Sequence, residues 1–314
     1  MFRKVATLQA TKTNRRSVKR AADILGDLSL RMMDVGAAGG APTRWEQFGW
    51  LMDYIAVEPD SRSSPVLVES ETSQFRSHSV VTKGLWSTEA TIDLNLCRKP
   101  MTSSVYVPNA KFAAHFPDSD RFEVVGTQPM AVTTIDHVVG SAKRLDGIKL
   151  DVQGAEYDVL LGATETLKHT LLVESEVEFV PLYINQPLFS DVTRHLAQAG
   201  LEFVDFLYLY RWHPQSLDGT GQLVFADALY MRVPENLPTD VDTLRRYAAL
   251  SILYGRGDLL IRLARTIADT DLRNRVLEAA EQINTHNSRV NSRLQLLGRM
   301  LRMSNSSARA HLFY

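Results

Sequence analysis

Two periods govern where apolar and polar residues fall along the chain. Short apolar runs read as strands: "LRMMDV" (30–35), "YIAVE" (54–58) and "SVVTKGLW" (79–86). "ATIDLNL" (90–96) alternates strictly, as a half-exposed strand does. Extended patterns return at "PMAVTTID" (129–136), "GIKLDV" (147–152), "TLLVESEV" (170–177), "LEFVDFLYLY" (201–210) and "QLVFADALYM" (222–231). Helical spacing fills the intervals. It covers 43–52, then Ala155 to about His169, then 187–200, where Leu188, Val192 and Leu196 form one stripe and Gly200 the stop. A further helix is predicted over 14–26, with Asn14 as N-cap and Gly26 as its end. From about residue 238 the pattern is purely helical, at 240–254, 257–268 and 271–303. The stretch 97–122, with Pro100, Pro108 and Pro117, is too long for a plain connection and reads as a lid or binding loop.

Strands alternating with helices predict an α/β domain around a mostly parallel sheet. The boundaries expected are a basic helical segment over 1–29, the α/β domain over 30–234 and a helical region over 235–314. An apolar content of 45% and a charged content of 23% suit a soluble globular chain of 314 residues. No apolar run reaches the roughly 18 residues of a spanning helix, and the basic N-terminus lacks the apolar core of a signal peptide. The single cysteine, Cys97, excludes an internal disulfide and fits a reducing, cytoplasmic setting. Charge is uneven: +6 over 1–31, −11 over 32–234 and +4 over 235–314. The acidic centre argues against a nucleic-acid partner.

Candidate chemistry begins at "MDVGAAGG" (32–39), closed by Gly40. A glycine turn after a strand lets backbone pass close to something. The spacing Gly36-Ala-Ala-Gly39-Gly40 puts Ala38 where the dinucleotide fingerprint needs its second glycine. Asp34, Gly36 and Gly40 fit instead the D-x-G-x-x-x-G of an S-adenosylmethionine turn, with a carboxylate for the ammonium of the methionyl part. Glu58, ending the next strand, suits ribose hydroxyls in either class. In "IKLDVQGAEYDVLLGA" (148–163), Lys149, Asp151 and Gln153 share one strand face. A lysine and an aspartate are costly in a central strand unless paired or placed at a working edge.

These stretches, with "AVEPD" (56–60) and 171–206, resemble the FkbM family of S-adenosylmethionine-dependent methyltransferases, in consistent order from about 30 to 232. The resemblance implies a class I methyltransferase fold: a Rossmann-like sheet of seven strands, six parallel and the last antiparallel. It also implies O-methylation of a hydroxyl, often on a sugar or a polyketide-like product. Asp34, Gly36, Ala37 and Gly40 would then lie at the methionyl end, Glu58 at the ribose, and Leu85, between Gly84 and Trp86, at the adenine. Gln153 departs from the family, which commonly has glutamate there.

A sugar hydroxyl calls for a positioned base. Asp151 is the first expectation, then Glu174 and Glu176, with Lys149 alongside; His137, His169, His195 and His213 are further titratable groups. Asp151 with Glu174 could alternatively hold Mg²⁺, whereas no spacing suggests zinc. Leu294, Leu297 and Leu301, flanked by Arg289, Arg293, Arg299 and Arg302, form a basic amphipathic helix. It suits a membrane surface, a glycosyltransferase partner, the catalytic domain or a second copy of the chain. The main expectation is a cytoplasmic O-methyltransferase acting on a glycan or glycolipid precursor. The alternative is a non-catalytic module that keeps the fold for assembly.

Overall fold

The computed structural model describes residues 2–6, 15–60, 74–142, 144–213 and 221–286. In chain order, β1 (Phe2–Ala6) and α1 (Arg15–Leu25) precede β2 (Leu30–Val35), α2 (Thr43–Glu46) and β3 (Met52–Val57). Then come β4 (Ser77–Val81), β5 (Gly84–Leu85), β6 (Ala90–Cys97), α3 (Ala110–Ala113), β7 (Val124–Thr133) and α4 (Ile135–Val139). The second half holds β8 (Gly147–Leu150), α5 (Glu156–Leu161), β9 (Leu172–Glu178), α6 (Phe189–Gln198), β10 (Leu201–Trp212) and β11 (Gln222–Arg232). Helices α7 (Val241–Leu253), α8 (Gly257–Ala264) and α9, described over 270–286, complete it.

Eight strands form one sheet in the order β1-β10-β11-β9-β8-β2-β3-β4. Without β1 it is the expected seven-stranded sheet, with β11 running against the six parallel strands. Strand order reverses between β2 and β8, which opens a crevice at their carboxyl ends. The N-terminal segment differs from the helical expectation: residues 2–6 pair antiparallel with β10 as an eighth, edge strand. Strands β5, β7 and β6 make a small second sheet beside the crevice.

Each face of the large sheet carries its own core. Met33, Ile55, Ile148 and Val173 point to one, covered by α4, α5 and α6 through Ile135, Leu160 and Leu196. Met32, Tyr54, Leu172 and Leu229 point to the other, covered by α1 and the late helices through Leu25, Leu250, Leu260 and Val276. Helices α1, α7, α8 and α9 are therefore one layer of the fold. Burial on nearly every side explains why α7 shows little amphipathic contrast.

Three predicted elements are shorter than expected, and each contains a glycine packed close against a neighbour. The strand expected over 79–86 splits between the two sheets at Gly84, where a Cβ would meet the Met130 side chain at 2.9 Å. The helix expected to run to His169 ends at Gly162, against the Trp86 carbonyl. The amphipathic stretch 43–52 yields only α2, which stops at Glu46, and a short 3₁₀ turn opened by Gly49, packed against the Gln74 carbonyl. The predicted cap Asn14 and the stripe at 289–302 lie outside the described residues. No helix among those described is long and apolar enough to cross a membrane.

Candidate active site

A cavity of about 980 Å³ opens at the reversal of strand order. Its first wall is the turn after β2. Gly36 has φ +85° and Gly40 φ +80°, both in the left-handed region that favours glycine. The N–H groups of Gly36 and Ala37 donate to the Val57 carbonyl at 3.0 and 3.2 Å, which fixes the turn to β3. A Cβ on Gly36 would fall 2.0 Å from the Asp151 carbonyl oxygen. The close approach at this glycine is thus to the neighbouring strand end. Gly36, Gly39 and Gly40 all line the cavity, and a Cβ on Gly39 would meet open space.

Asp34 and Ala37 do not line the cavity. Ala37 is buried behind the turn. Asp34 is fully buried, accepting Lys149 Nζ at 3.0 Å and the Tyr54 hydroxyl at 3.1 Å. Burial raises its pKa against the pull of Lys149. The strand register explains the grouping: Asp34 lies opposite Lys149, and Lys149 opposite Glu174, across three adjacent strands. Burial works to lower the Lys149 pKa, but the carboxylates of Asp34, Asp151 and Glu174 carry it upward overall. The lysine and aspartate that looked costly in a central strand are thus paired, at a working edge.

Glu58 does line the cavity, at the end of β3. Its Oε1 accepts the Asp60 N–H at 2.7 Å, and burial raises its pKa. Gly84, Leu85 and Trp86 form an adjoining wall. Backbone turn, strand-end acid and apolar wall therefore occur together, in the order in which the methionyl, ribose and adenine parts of S-adenosylmethionine would need them. The open space at Gly39 leaves the turn accessible to such a group. The residues present fit the cofactor. Glu58 would take the ribose, the 39–40 turn the methionyl part and Leu85 with Trp86 the base.

Beyond this wall the cavity floor is acidic. The Asp151 carboxylate is 41% exposed and stands 3.8 Å from Lys149 Nζ. Its Oδ1 accepts the Gln153 amide at 3.0 Å, and the same amide donates to Glu176 at 3.1 Å. Gln153 holds φ +58°, which turns the chain after β8. Its own amide oxygen accepts the Tyr183 hydroxyl at 3.1 Å. Burial first, then the charges of Asp151 and Glu178, lifts the Glu176 carboxyl well above its ordinary range. Glu156, bonded to the Val152 N–H at 2.8 Å, is pushed up by burial to about 7.

Glu174 touches the cavity but is only 4% exposed. Tyr254, at the end of α7, donates to it at 2.6 Å, and Arg44 Nη1 stands 3.5 Å away. Trp45 in turn donates to the Tyr254 hydroxyl at 3.0 Å. Tyr254 and Asp227 are site residues that sequence reading missed. Their elements reach the site only through folding, and nothing local marks them. The stretch 97–122 does border the cavity, at Lys99 to Val105 and again at Arg121 and Phe122. Ser104 ties it to the floor by donating to the Gln153 carbonyl at 2.7 Å. None of His137, His169, His195 and His213 lines the cavity. Among the described residues no group of three or more His, Cys, Asp or Glu side chains is arranged to hold a metal. The Mg²⁺ expectation for Asp151 with Glu174 finds no cluster to rest on.

Comparisons with known proteins differ in reach. Nothing among curated proteins matches the chain. Solved structures that align with it are distant. One is precorrin-6y C5,15-methyltransferase from Geobacter metallireducens GS-15, with 10% identity over 70% of this chain and 90% of that one, at TM-score 0.33. Another is TehB from Haemophilus influenzae, with 13% identity over 71% and 63%, at TM-score 0.36. A third is a mutant of the 16S rRNA (adenine(1408)-N(1))-methyltransferase from Catenulisporales acidiphilia, with 15% identity over 73% and 95%, at TM-score 0.33. The model of the methyltransferase FkbM domain matches residues 34–203, more than half of the chain. That match begins on the aspartate near the end of β2 and takes in the turn, Glu58, the 148–163 motif and the acidic floor. The chain belongs to the FkbM methyltransferase family and is an S-adenosylmethionine-dependent methyltransferase.

Proposed function

We propose that the protein methylates a hydroxyl oxygen, on a sugar of a glycan or glycolipid precursor. The observation that carries this reading is the composition of the cavity beyond the cofactor wall. Carboxylates of Asp151, Glu176 and Asp227 stand there with the rings of Tyr208, Tyr210 and Trp212. Carboxylates accept from sugar hydroxyls, and aromatic faces suit the apolar C–H face of a pyranose. When bound, the cofactor supplies a methyl group made electrophilic by its sulfonium.

The chain's own residues do the rest. Asp151 is the accessible acid of the floor and takes the hydroxyl proton. Gln153 holds Oδ1, and Oδ2, which stands 3.8 Å from Lys149 Nζ, is the oxygen that meets the acceptor. Glu174 is a positioning residue, anchored by Arg44 and Tyr254 below the acceptor space. Segment 99–105 borders the acceptor space, seated on the floor by the Ser104 bond to the Gln153 carbonyl. A base placed in this way contributes about 10²–10⁴-fold, and holding acceptor against donor supplies much of the remainder.

Calorimetric titration with S-adenosylmethionine and S-adenosylhomocysteine tests the cofactor wall. The wild-type chain should bind both in the micromolar range, and Glu58→Ala should lose most of that affinity. Methyl transfer to a panel of sugars follows. Asp151→Asn should keep cofactor affinity while transfer falls by about 10²-fold or more. A well-folded wild-type chain that binds neither ligand would favour the assembly module instead.

A further inference from the structure

Among the described residues four cationic side chains line the cavity, and they divide by place. Lys149 and Arg44 belong to the floor, each beside a buried carboxylate: Asp34 at 3.0 Å and Glu174 at 3.5 Å. The other two come from the segment above. Lys99 and Arg121 lie near opposite ends of it, yet the backbone joins them. Lys99 N–H donates to the Arg121 carbonyl at 3.2 Å, and the Thr102 hydroxyl donates to the same oxygen at 2.9 Å. The Arg121 guanidinium lies 4.9 Å from the Phe122 ring centroid and 4.6 Å from that of Trp212. Arg121 is 9% exposed, and burial pushes its pKa down to about 10 against the pull of Asp118. The fold thus sets a largely desolvated guanidinium among rings on the cavity wall, where the charge of a ligand is felt more strongly than in water.

An aromatic wall leads away from that cation. Trp212 meets Phe225 edge to face at 6.3 Å, and Phe225 stacks on Tyr210 at 4.2 Å. Tyr210 then donates to Asp227 at 3.2 Å. One end of the wall is cationic and the other is anionic. A neutral sugar would use the rings and the carboxylate end, and would gain little from the cationic one.

We propose that the acceptor is an anionic sugar, whose phosphate or carboxylate is held by Lys99 and Arg121 while its hydroxyls face Asp151, Glu176 and Asp227. The inference rests on the sugar reading given above and adds the charge of the substrate. A planar guanidinium fixed by ring contacts suits the two-pronged geometry of phosphate or carboxylate. Attraction by Lys99 and Arg121 draws the anionic group to that end of the wall and so presents the hydroxyl end to Asp151. Polarity of the cavity, in this account, selects which hydroxyl is methylated.

The full chain saturated with S-adenosylhomocysteine, titrated with glucose, glucose 6-phosphate and glucuronate by saturation-transfer NMR, tests this. At least one anionic sugar should bind about tenfold tighter than glucose, as expected for a charge-assisted contact. Lys99→Ala and Arg121→Gln should each reduce that preference. Lys99 is exposed, so its variant tests the idea even if Arg121→Gln fails to fold. Preference for phosphate over carboxylate, or the reverse, supports the proposal and identifies the anionic group. Equal binding of all three sugars, or a preference that Lys99→Ala leaves intact, overturns the anionic acceptor and keeps the sugar reading. Binding of S-adenosylhomocysteine with no sugar bound overturns both.

Discussion

Two glycines of one turn can serve opposite ends, and the turn after β2 separates them. Gly36 is required by packing: its Cβ would overlap the Asp151 carbonyl, and its φ of +85° is strained for any side chain. Gly36→Ala should therefore cost at least ~2 kcal/mol, read from urea unfolding. Gly39 faces open cavity, with no atom within 4 Å of a built Cβ. Gly39→Ala should leave unfolding within about 0.5 kcal/mol of wild type and weaken S-adenosylhomocysteine binding in calorimetry. Equal losses of stability would show that both glycines serve packing alone. The sequence displays both as turn glycines, because spacing reveals a need for small residues but not which neighbour imposes it. Asp34 follows the same logic. Its position near the end of a strand is legible, whereas its burial behind Lys149 depends on the register between β2 and β8.

Helix α7 is the element whose part in the site is least local. Its residues pack on the sheet face that carries Asp34, Lys149 and Glu174, and its end places the Tyr254 hydroxyl between Trp45 and Glu174. Removing that hydroxyl leaves a buried carboxylate oxygen and an indole N–H short of a partner. Tyr254→Phe should destabilise the chain by about 1–3 kcal/mol, measured by denaturant titration. It should also weaken S-adenosylhomocysteine binding modestly, because α2, which carries Arg44 and Trp45, follows directly on the turn proposed to hold the cofactor. A variant as stable as wild type would mean that water replaces the hydroxyl without cost. The segment 97–122 is a second case. Its length and prolines mark it as more than a connection, but the Ser104 bond that seats it on Gln153 joins residues 49 apart.

At the scale of the molecule, the buried acids set a pH dependence. Glu156, Glu176 and Glu178 all have pKa values raised in the folded state, burial being the largest cause in each. The folded chain then binds more protons than the unfolded chain between the ordinary carboxylate range and these raised values. Stability contributed by these groups is present below that window and is lost as pH rises through it. Glu176→Gln keeps an oxygen for the Gln153 amide and removes one titrating acid. Its stability relative to wild type should rise steadily from about pH 5 to pH 8, followed by thermal melting at each pH. A difference that does not change with pH would show that Glu176 does not titrate in this range.

Much of this molecule was written in the order of its residues. Apolar runs around Leu30–Val35 and Met52–Val57 and the strand-helix alternation set the α/β class, since burial of a strand requires apolar side chains at fixed spacing. Asp34, Glu58 and the 148–163 motif marked the crevice, because a strand end, a turn and a helix start are local events. Tertiary structure decided the rest. It split 79–86 between two sheets, recruited residues 2–6 as an eighth strand, and buried Asp34 away from the cavity that it was expected to line. It also brought Tyr254, Asp227 and Arg121 to one cavity from three distant segments. Periodicity reports which face of an element is buried; it carries no record of what lies across that face. Register and packing supply that partner, and with it the charge pattern from which the acceptor is read.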